Sequence, residues 1–171
     1  MQLFSQSRTL FGLGFLGCLL LMGVAFYLQY FMGLEPCPLC YVQRVIVIVF
    51  GVISLLAALH NPATVGRKIY AFLLVLIAGS GIAAAGRQIW LQQLPKDQLP
   101  ACLPSLEFML EAFPLQEVIA KMLHGSSDCA EVTWTFFGFS IAELSMLGFI
   151  MMLLWSLMLL LKRFTRKSIF R

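Results

Sequence analysis

Four long stretches of the chain contain no charged residue, and they constrain its fold more than any other feature. Each has at least 18 residues, and together they cover positions 9–34, 45–66, 69–86 and 144–161. An α-helix needs roughly 20 apolar residues to cross the ~30 Å hydrocarbon core of a membrane. Lipid offers the backbone no hydrogen-bond partner, so such stretches must be helical. The sequence therefore predicts an all-α membrane protein, a four-transmembrane-helix bundle. Its spans are expected at about 10–32, 41–60, 69–91 and 141–162.

The composition agrees with this prediction. The chain is 60% hydrophobic and 12% charged, whereas soluble domains are about 45–50% apolar and about 25% charged. These values exclude a disordered protein, a nucleic-acid-binding module and an ordinary soluble enzyme. Buried helices of a soluble protein would show amphipathic stripes, but segments such as 16–24 and 45–56 are apolar on all sides. The first stretch is too long for a signal peptide and no small-x-small cleavage site follows it, so we expect it to remain as the first span.

The charged residues predict how the bundle is oriented. Eight of the 12 basic residues lie near the amino end, in the turn at 60–68 or near the carboxyl end. They are Arg8, Arg67, Lys68, Lys162, Arg163, Arg166, Lys167 and Arg171. With four spans these places share one side, and the positive-inside rule assigns that side and both termini to the cytoplasm. All eight acidic residues fall in or beside the two opposite loops, at about 33–40 and 92–140. The net charge of +4 thus reflects membrane topology, and no nucleic-acid partner is expected.

The longer outer loop contains apolar residues at roughly helical spacing. They are Leu106, Met109, Leu110, Phe113, Val118, Ile119, Met122 and Leu123, with an interruption at Pro114. The pattern favours a short helix that lies on the membrane surface with its apolar side in the lipid bilayer. A loop segment packed on the outer end of the bundle would explain the pattern equally well.

Four of the five cysteines lie in the two outer loops. Cys37 and Cys40 form a Cys-Pro-Leu-Cys motif in the short loop, and Cys102 and Cys129 lie in the long one. Cys18, in the middle of the first span, is expected to be a small packing residue. A Cys-x-x-Cys disulfide closes too short a loop to be an effective staple, but this spacing is typical of reversible redox pairs and of zinc sites. The other two cysteines form no second zinc knuckle, so no metal site is predicted, and a purely structural disulfide between them stays open.

The surroundings of the Cys-x-x-Cys motif favour redox chemistry. Pro38 suits the first turn of a helix, so the second span should begin there with Cys40 in its first turn, where free N–H groups stabilise a thiolate. Arg44 lies one turn deeper on the same face and could stabilise both that thiolate and a ligand that gains negative charge. Snorkelling to lipid headgroups is the alternative for Arg44, and Arg87 near the outer end of the third span admits both interpretations. The arrangement indicates electron transfer from thiols to a lipid-soluble acceptor such as a quinone.

These features together resemble the disulfide bond formation protein B (DsbB) family, bacterial inner-membrane enzymes that reoxidise the periplasmic thiol oxidase DsbA and reduce quinone. The resemblance covers nearly the whole chain. Its most specific parts are Pro36-Cys37-Pro38-Leu39-Cys40 followed by Arg44, and Cys129-Ala130-Glu131 followed by Trp134 and Gly138. A Cys-x-x-Cys alone is a weak signal, whereas the order and sidedness of all four outer cysteines make the resemblance specific.

The resemblance implies catalytic roles for the four outer cysteines. Cys102 and Cys129 would form the periplasmic disulfide, and the reduced DsbA-type partner would attack Cys102. The freed Cys129 would then attack Cys37 of the Cys37–Cys40 disulfide and release Cys40, which passes the electrons to ubiquinone.

The resemblance also implies a quinone site. Ubiquinone is the expected acceptor, with menaquinone possible under anaerobic growth, and the residues expected to bind it are Cys40, Arg44 and Arg87. Some family members have a histidine linked to quinone binding near the outer end of the third span, where this chain reads Arg-Gln-Ile-Trp from position 87. His60 in the cytoplasmic turn and His124 in the outer loop are not placed to replace that histidine.

Two other functions stay open at this point. Proteins of the vitamin K epoxide reductase type also combine four helices, a Cys-x-x-Cys motif and a quinone, but their quinone-side motif lies near the last helix. The chain could also be a non-catalytic four-span scaffold whose loop cysteines are structural staples. The resting pairing is open as well, since four cysteines allow three pairings, and a Cys37–Cys129 bridge would be a reasonable intermediate.

Overall fold

The structure, a computed structural model, describes residues 2–104, 106–132 and 134–162. Within these ranges the chain forms six α-helices and one two-stranded hairpin. The helices are α1 (Gln2–Tyr30), α2 (Pro38–His60), α3 (Thr64–Gln92), α4 (Leu106–Ala112), α5 (Leu115–His124) and α6 (Ile141–Leu161). The strands are β1 (Thr135–Phe136) and β2 (Phe139–Ser140).

The helices α1, α2, α3 and α6 are each long and apolar enough to cross a membrane, which confirms the predicted all-α, four-span architecture. Three of them start earlier than the predicted spans, α1 at Gln2, α2 at Pro38 and α3 at Thr64. The beginning of α3 therefore includes Arg67 and Lys68, which precede the uncharged stretch at 69–86. Four of the basic residues used in the topology argument lie outside the described residues: Arg163, Arg166, Lys167 and Arg171.

The four long helices pack as a row that leaves a gap. Helix α2 lies between α1 and α3, and α3 packs in turn on α6. Small residues allow the close approaches, because a Cβ on Gly81 of α3 would lie 2.3 Å from a ring carbon of Phe149 in α6. A Cβ on Gly51 of α2 would lie 3.1 Å from the Cβ of Cys18 in α1. Helices α1 and α6 have few contacts with each other, so a gap remains between them.

The long outer loop folds into two short helices, where the sequence predicts one interrupted helix. Pro114 causes the break, since it has no N–H to donate and is instead the N-cap residue of α5. Met109 of α4 and Val118 of α5 are buried, whereas Leu110 and Ile119 are half exposed. Helix α5 packs on α2, and the outward apolar side chains remain available to lipid.

A small β-hairpin, which the sequence did not predict, leads into α6. Strands β1 and β2 pair antiparallel, and both turn residues, Phe137 and Gly138, have positive φ, as a tight two-residue turn requires. Ser140 then caps α6 because its hydroxyl accepts the N–H of Glu143 while its own N–H donates to the Glu143 carboxylate. The hairpin therefore sets the point at which the fourth span begins.

Candidate thiol redox site

Cys37 and Cys40 lie at the start of α2. Cys37 is the N-cap residue and Pro38 is the first helical residue, a position at which proline is favourable because its missing N–H is not needed. Cys40 therefore falls in the first turn, where the sequence places it. The two sulfur atoms are 2.8 Å apart and both side chains are partly buried. The pair is thus placed for reversible bond formation between neighbouring sulfurs.

Cys129 reaches the same point from the outer loop. It ends a three-residue 3-10 turn and is only 1% exposed, packed with Leu39 of α2 and Leu91 of α3. The side chain of Cys37 packs against this cluster. Cys37 therefore has a sulfur neighbour on each side, Cys40 from the helix and Cys129 from the loop.

Gly125 explains how the loop comes so close to the helices. This residue ends α5 with φ 82 and ψ 173, a conformation that is essentially restricted to glycine. A Cβ at this position would lie 2.6 Å from a methyl carbon of Leu91 and 3.1 Å from one of Leu39. Helix α5 therefore ends directly against these leucines, and the chain turns at once into the segment that carries Cys129.

The contacts of Cys129 favour its thiolate. The hydrogen bond from the Cys37 thiol lowers the pKa of Cys129 to about 6, although burial acts in the opposite direction. The backbone N–H of Leu39, in the first turn of α2, contributes in the same sense as the Cys37 thiol. The hydrogen bond to Cys129, followed by that to Cys40 and by burial, raises the pKa of Cys37. In the reduced protein Cys129 therefore loses its proton more readily than Cys37 does.

Cys102 lies apart from this row of sulfurs. Its side chain is exposed, and its sulfur is 2.9 Å from the hydroxyl oxygen of Ser127, two residues before Cys129. The structure therefore does not gather the four predicted cysteines into one cluster. Three of them are in contact, and the fourth is at the surface beside the turn that carries the third.

Two amide side chains that the sequence analysis did not select also lie at the redox pair. Gln43 of α2 and Gln88 of α3 are 7% and 5% exposed, and Nε2 of Gln43 donates to Oε1 of Gln88 over 2.7 Å. Nε2 of Gln88 lies 3.5 Å from the sulfurs of both Cys37 and Cys40. The signal was present in the sequence, because a polar side chain inside an apolar span is costly and commonly functional.

A cavity of about 270 Å³ lies in the gap between α1 and α6 and reaches the redox pair. Most of its wall is apolar and comes from α1, α2 and α6. Cys40, Gln43, Arg44 and Gln88 meet near the start of α2, and the carboxylates of the lining come from the outer loops: Glu35, Asp128 and Glu131. An apolar pocket with a few convergent polar groups is the usual form of a small-molecule site.

Arg44 holds its guanidinium against α1 on the wall of this cavity. Its Nη1 donates to Oε1 of Gln29, and its Nη2 donates to the carbonyl oxygen of Ala25 over 3.2 Å. The rings of Phe26 and Tyr41 have their centres 5.5 and 5.8 Å from the guanidinium carbon. All of these partners are neutral, so Arg44 brings an unpaired positive charge to a cavity wall that Glu35, Asp128 and Glu131 also line.

Arg87, in contrast, is not among the residues that line the cavity. Its Nε and Nη2 donate to the carbonyl oxygen of His124 over 3.3 and 3.2 Å, and its guanidinium carbon lies 4.4 Å from the ring centre of Trp90. His124 is the last residue of α5, where a cation is favourable because the terminal carbonyl groups carry partial negative charge. Arg87 therefore ties α3 to the loop helix just before Gly125.

Two further residues considered in the sequence analysis lie elsewhere. Cys18 is buried among apolar residues and packs on Gly51, as a small packing residue does. His60 is the last residue of α2, at the end opposite to the redox pair, with its Nδ1 3.3 Å from the hydroxyl oxygen of Tyr70.

Comparison with known proteins gives a consistent result over most of the chain. A sequence model of the family described as Disulfide bond formation protein DsbB matches residues 7–159. The chain is similar to the Disulfide bond formation protein B of Stutzerimonas stutzeri, with 55% identity over 159 residues that cover 93% of this chain and 98% of the relative. It is 51% identical to Disulfide bond formation protein B 1 of Pseudomonas aeruginosa over 159 residues, 93% of this chain and 98% of the relative. It is 49% identical to the Disulfide bond formation protein B of Marinobacter nauticus over 162 residues, 95% of this chain and 96% of the relative.

Proposed function

Because the chain belongs to the disulfide bond formation protein B (DsbB) family, we propose that it reoxidises a periplasmic thiol oxidase of the DsbA type and passes the electrons to membrane quinone. Family membership and the four apolar helices establish a multi-pass membrane protein that acts in disulfide bond formation. The partner and the acceptor are the finer parts of the proposal. Together they describe a protein-disulfide:quinone oxidoreductase.

The observation that carries the proposal is a row of three sulfurs that ends at an apolar cavity. Cys37 packs against the cluster that contains Cys129, and its sulfur is 2.8 Å from that of Cys40. Cys129 belongs to the outer loop, and Cys40 lines the cavity inside the bundle. Thiol–disulfide exchange requires a thiolate next to the sulfur it attacks, so electrons can pass along this row. A structural staple needs a single pair and no cavity.

The first exchange in the proposed relay takes place at the exposed cysteine. A thiolate of the reduced partner attacks Cys102 of a Cys102–Cys129 disulfide, so a partner–Cys102 bond forms and Cys129 leaves as a thiolate. While Cys37 is in its disulfide, the backbone N–H of Leu39 in the first turn of α2 remains as a donor that stabilises Cys129 as a leaving thiolate. The second cysteine of the partner, as a thiolate, then attacks the partner's sulfur in the mixed disulfide. This releases the oxidised partner and the Cys102 thiolate.

The second exchange moves the electrons to the helix. The Cys129 thiolate attacks Cys37 of the Cys37–Cys40 disulfide, so a Cys129–Cys37 bond forms and Cys40 leaves as a thiolate. The Cys102 thiolate then attacks Cys129, which restores the outer disulfide and releases Cys37. The outcome is an oxidised partner and a reduced Cys37–Cys40 pair that holds two electrons.

The last step returns Cys37 and Cys40 to a disulfide as two electrons and two protons are transferred, so that quinone becomes quinol. A quinone supplies an apolar two-electron acceptor that resides in the bilayer. The residues present fit such a molecule, since the cavity wall is mostly apolar and Cys40 opens onto it. Arg44 places a positive charge there, which favours an acceptor that gains negative charge. Ubiquinone is the proposed acceptor, with menaquinone under anaerobic growth.

The proposed location is the bacterial inner membrane with both termini in the cytoplasm. The described basic residues Arg8, Arg67, Lys68 and Lys162 lie near the helix ends opposite to the start of α2, which the positive-inside rule assigns to the cytoplasm. The row of sulfurs then faces the periplasm, an oxidising compartment in which disulfides persist.

Purified protein in lipid nanodiscs with ubiquinone and a reduced DsbA-type oxidase tests the proposal. The unmodified protein should oxidise the partner and reduce quinone in equal amounts. Cys40→Ser should abolish quinone reduction, and Cys102→Ser should abolish capture of the partner as a mixed disulfide. Cys18→Ser is the matched control and should keep both activities. Partner oxidation that persists in the first two variants, or that proceeds without quinone reduction, would contradict the proposal and favour a structural scaffold.

A further inference from the structure

The buried amides Gln43 and Gln88 connect α2 to α3 at the redox pair, and the relay described above gives them no role. We propose that Gln88 donates a hydrogen bond that stabilises the Cys40 thiolate, and that Gln43 is a positioning residue that turns the Gln88 amide N–H toward the sulfur. The inference rests on the proposed function and deepens it, because it names what makes the inner disulfide a good electron acceptor.

The distances show which end of the Gln88 amide faces the sulfurs. Its Nε2 lies 3.5 Å from the sulfur of Cys40, whereas its Oε1 lies 4.0 Å from the same atom. The oxygen is closer to Gln43, whose Nε2 donates to it over 2.7 Å. The amide oxygen of Gln88 accepts from Gln43 at short range and from the Cys40 thiol only over 4.0 Å, so the N–H group is the part of the amide closest to the sulfurs.

This orientation has a chemical consequence because a thiolate only accepts hydrogen bonds. Donation to a charged acceptor is stronger than donation to a neutral one, and both amides are buried, so water does not replace a missing donor. A disulfide carries no charge, whereas its two-electron reduction leaves a thiolate at Cys40. The Gln88 N–H therefore stabilises the reduced pair more than the oxidised pair and makes the disulfide a stronger acceptor of electrons from Cys129.

An amide pair that only held α2 against α3 would behave differently. Its hydrogen bond would be equally useful in the oxidised and the reduced protein, and removing it would lower overall stability without moving the equilibrium between disulfide and dithiol. That equilibrium therefore separates the chemical role from a packing role.

The test equilibrates the full-length protein with glutathione redox buffers in the absence of quinone and partner. Free thiols are trapped by alkylation, and the Cys37–Cys40 disulfide is quantified by peptide mass spectrometry. Gln88→Leu removes the donor at similar volume, and the equilibrium constant for reduction should fall about tenfold, which is ~30 mV for a two-electron couple. The matched control is Gln93→Leu, the same change at an exposed amide just after α3, which should leave the equilibrium constant unchanged.

Two more variants keep the test informative if Gln88→Leu folds poorly. Gln88→His keeps a ring N–H donor and should recover most of the lost equilibrium constant. Gln43→Leu keeps the donor but removes the group that orients it, so a smaller decrease of roughly threefold is expected. The rate of Cys40 alkylation at neutral pH in the reduced protein should fall in the same order, since the thiolate is the reactive form.

An equilibrium constant for Gln88→Leu within about twofold of the unmodified protein, or an equal shift in Gln93→Leu, would overturn the inference. Neither measurement uses quinone. Failure of the proposed function would therefore appear separately, as an unmodified protein that equilibrates with glutathione and shows the Gln88 effect but reduces no quinone.

Discussion

Cys102 and Cys129 belong to the same outer loop but lie in opposite surroundings. Cys102 is exposed, and its sulfur contacts the hydroxyl of Ser127. Cys129 is buried, and its thiol contacts Cys37 at the start of α2. The difference shows that the loop presents one sulfur to solvent and docks the other on the bundle. Two cysteines that merely closed the loop would have no need of such unequal exposure.

The part of the outer loop around Cys129 is held by specific contacts with α2 and α3. Gly125 lies against Leu39 and Leu91, and Arg87 binds the carbonyl oxygen of His124 just before it. Cys102 is exposed, and among the described residues its sulfur contacts the hydroxyl of Ser127. Changes near Cys129 are therefore expected to have larger effects than changes near Cys102.

The largest effect is expected from Gly125→Ala. The added methyl group would lie 2.6 Å from a methyl carbon of Leu91 at a residue with positive φ, so the turn must move and Cys129 must leave Cys37. Because a displacement of about 1 Å can lower a rate 10²-fold, quinone-coupled oxidation of a dithiol partner should fall about 100-fold. Gly138→Ala is the matched control, since Gly138 also has positive φ but nothing lies within 4 Å of its added Cβ. An equal loss in both variants would mean that backbone strain, and not the docking of Cys129, controls the rate.

Cys37→Ala is expected to have the next largest effect, on the acidity of Cys129. The hydrogen bond from Cys37 is the main cause of the lowered pKa, so without it the pKa of Cys129 should rise from about 6 toward the ordinary value of about 8.5. The alkylation rate of reduced Cys129 at pH ~6 should then fall at least about tenfold. Cys37→Ser keeps a hydroxyl donor and should keep most of the effect. A midpoint that stays near pH 6 in Cys37→Ala would contradict this account.

The same pKa predicts how the stability of the reduced protein depends on pH. The pKa of Cys129 is lower in the folded protein than in the unfolded chain, so its contacts stabilise the fold fully above about pH 8.5. This contribution decreases as the pH falls and is lost below pH about 6. Denaturant unfolding of the reduced protein at several pH values should show it, and Cys37→Ala should weaken it.

A moderate effect is expected from Arg87→Gln, compared with Arg44→Gln. Arg44 lines the cavity, so its loss should raise the KM for quinone roughly tenfold. Arg87 holds the end of α5, so its loss should leave that KM unchanged and speed amide hydrogen exchange in α5 about fivefold. A rise in the quinone KM as large as that of Arg44→Gln would instead support the sequence-based prediction that Arg87 binds the quinone.

The smallest effect is expected from Ser127→Ala. The Ser127 hydroxyl, 2.9 Å from the sulfur of Cys102, can donate to the thiolate that leaves when the oxidised partner is released. The site is exposed, so the mixed disulfide with the partner should decay only about threefold more slowly. Ser127→Thr keeps the hydroxyl and serves as the control. Unchanged decay in Ser127→Ala would show that solvent alone stabilises the exposed cysteine.

Features that depend on local or periodic patterns could be predicted from the sequence. The uncharged stretches predicted the four spans because a membrane imposes a length and an apolar character on each helix. Pro38 marked the start of α2 and so placed Cys40 in its first turn. These features require no knowledge of how one helix is rotated relative to the next.

Contacts between elements could not be predicted in the same way. Gln88 faces the sulfurs of α2 because of the rotation of α3 about its axis, and the backbone N–H of Leu39 reaches Cys129 because Gly125 allows a close approach. The hydrogen-bond partner of Arg87 is the carbonyl oxygen at the end of α5. This helix lies in the outer loop, where no transmembrane pattern predicts its position. Each of these facts requires distances between segments that are far apart in the chain.

The central position of Cys37 has a consequence for the order of events in each cycle. A sulfur atom takes part in one disulfide at a time, so a bond from Cys37 to Cys129 excludes a bond from Cys37 to Cys40. Cys37 is therefore never bonded at the same moment to Cys129, which brings the electrons, and to Cys40, which passes them on. Electrons therefore pass through Cys37 one pair at a time, and a second pair can pass only after Cys37 has re-formed its bond to Cys40. The valence of one atom imposes this alternation, with no domain movement required.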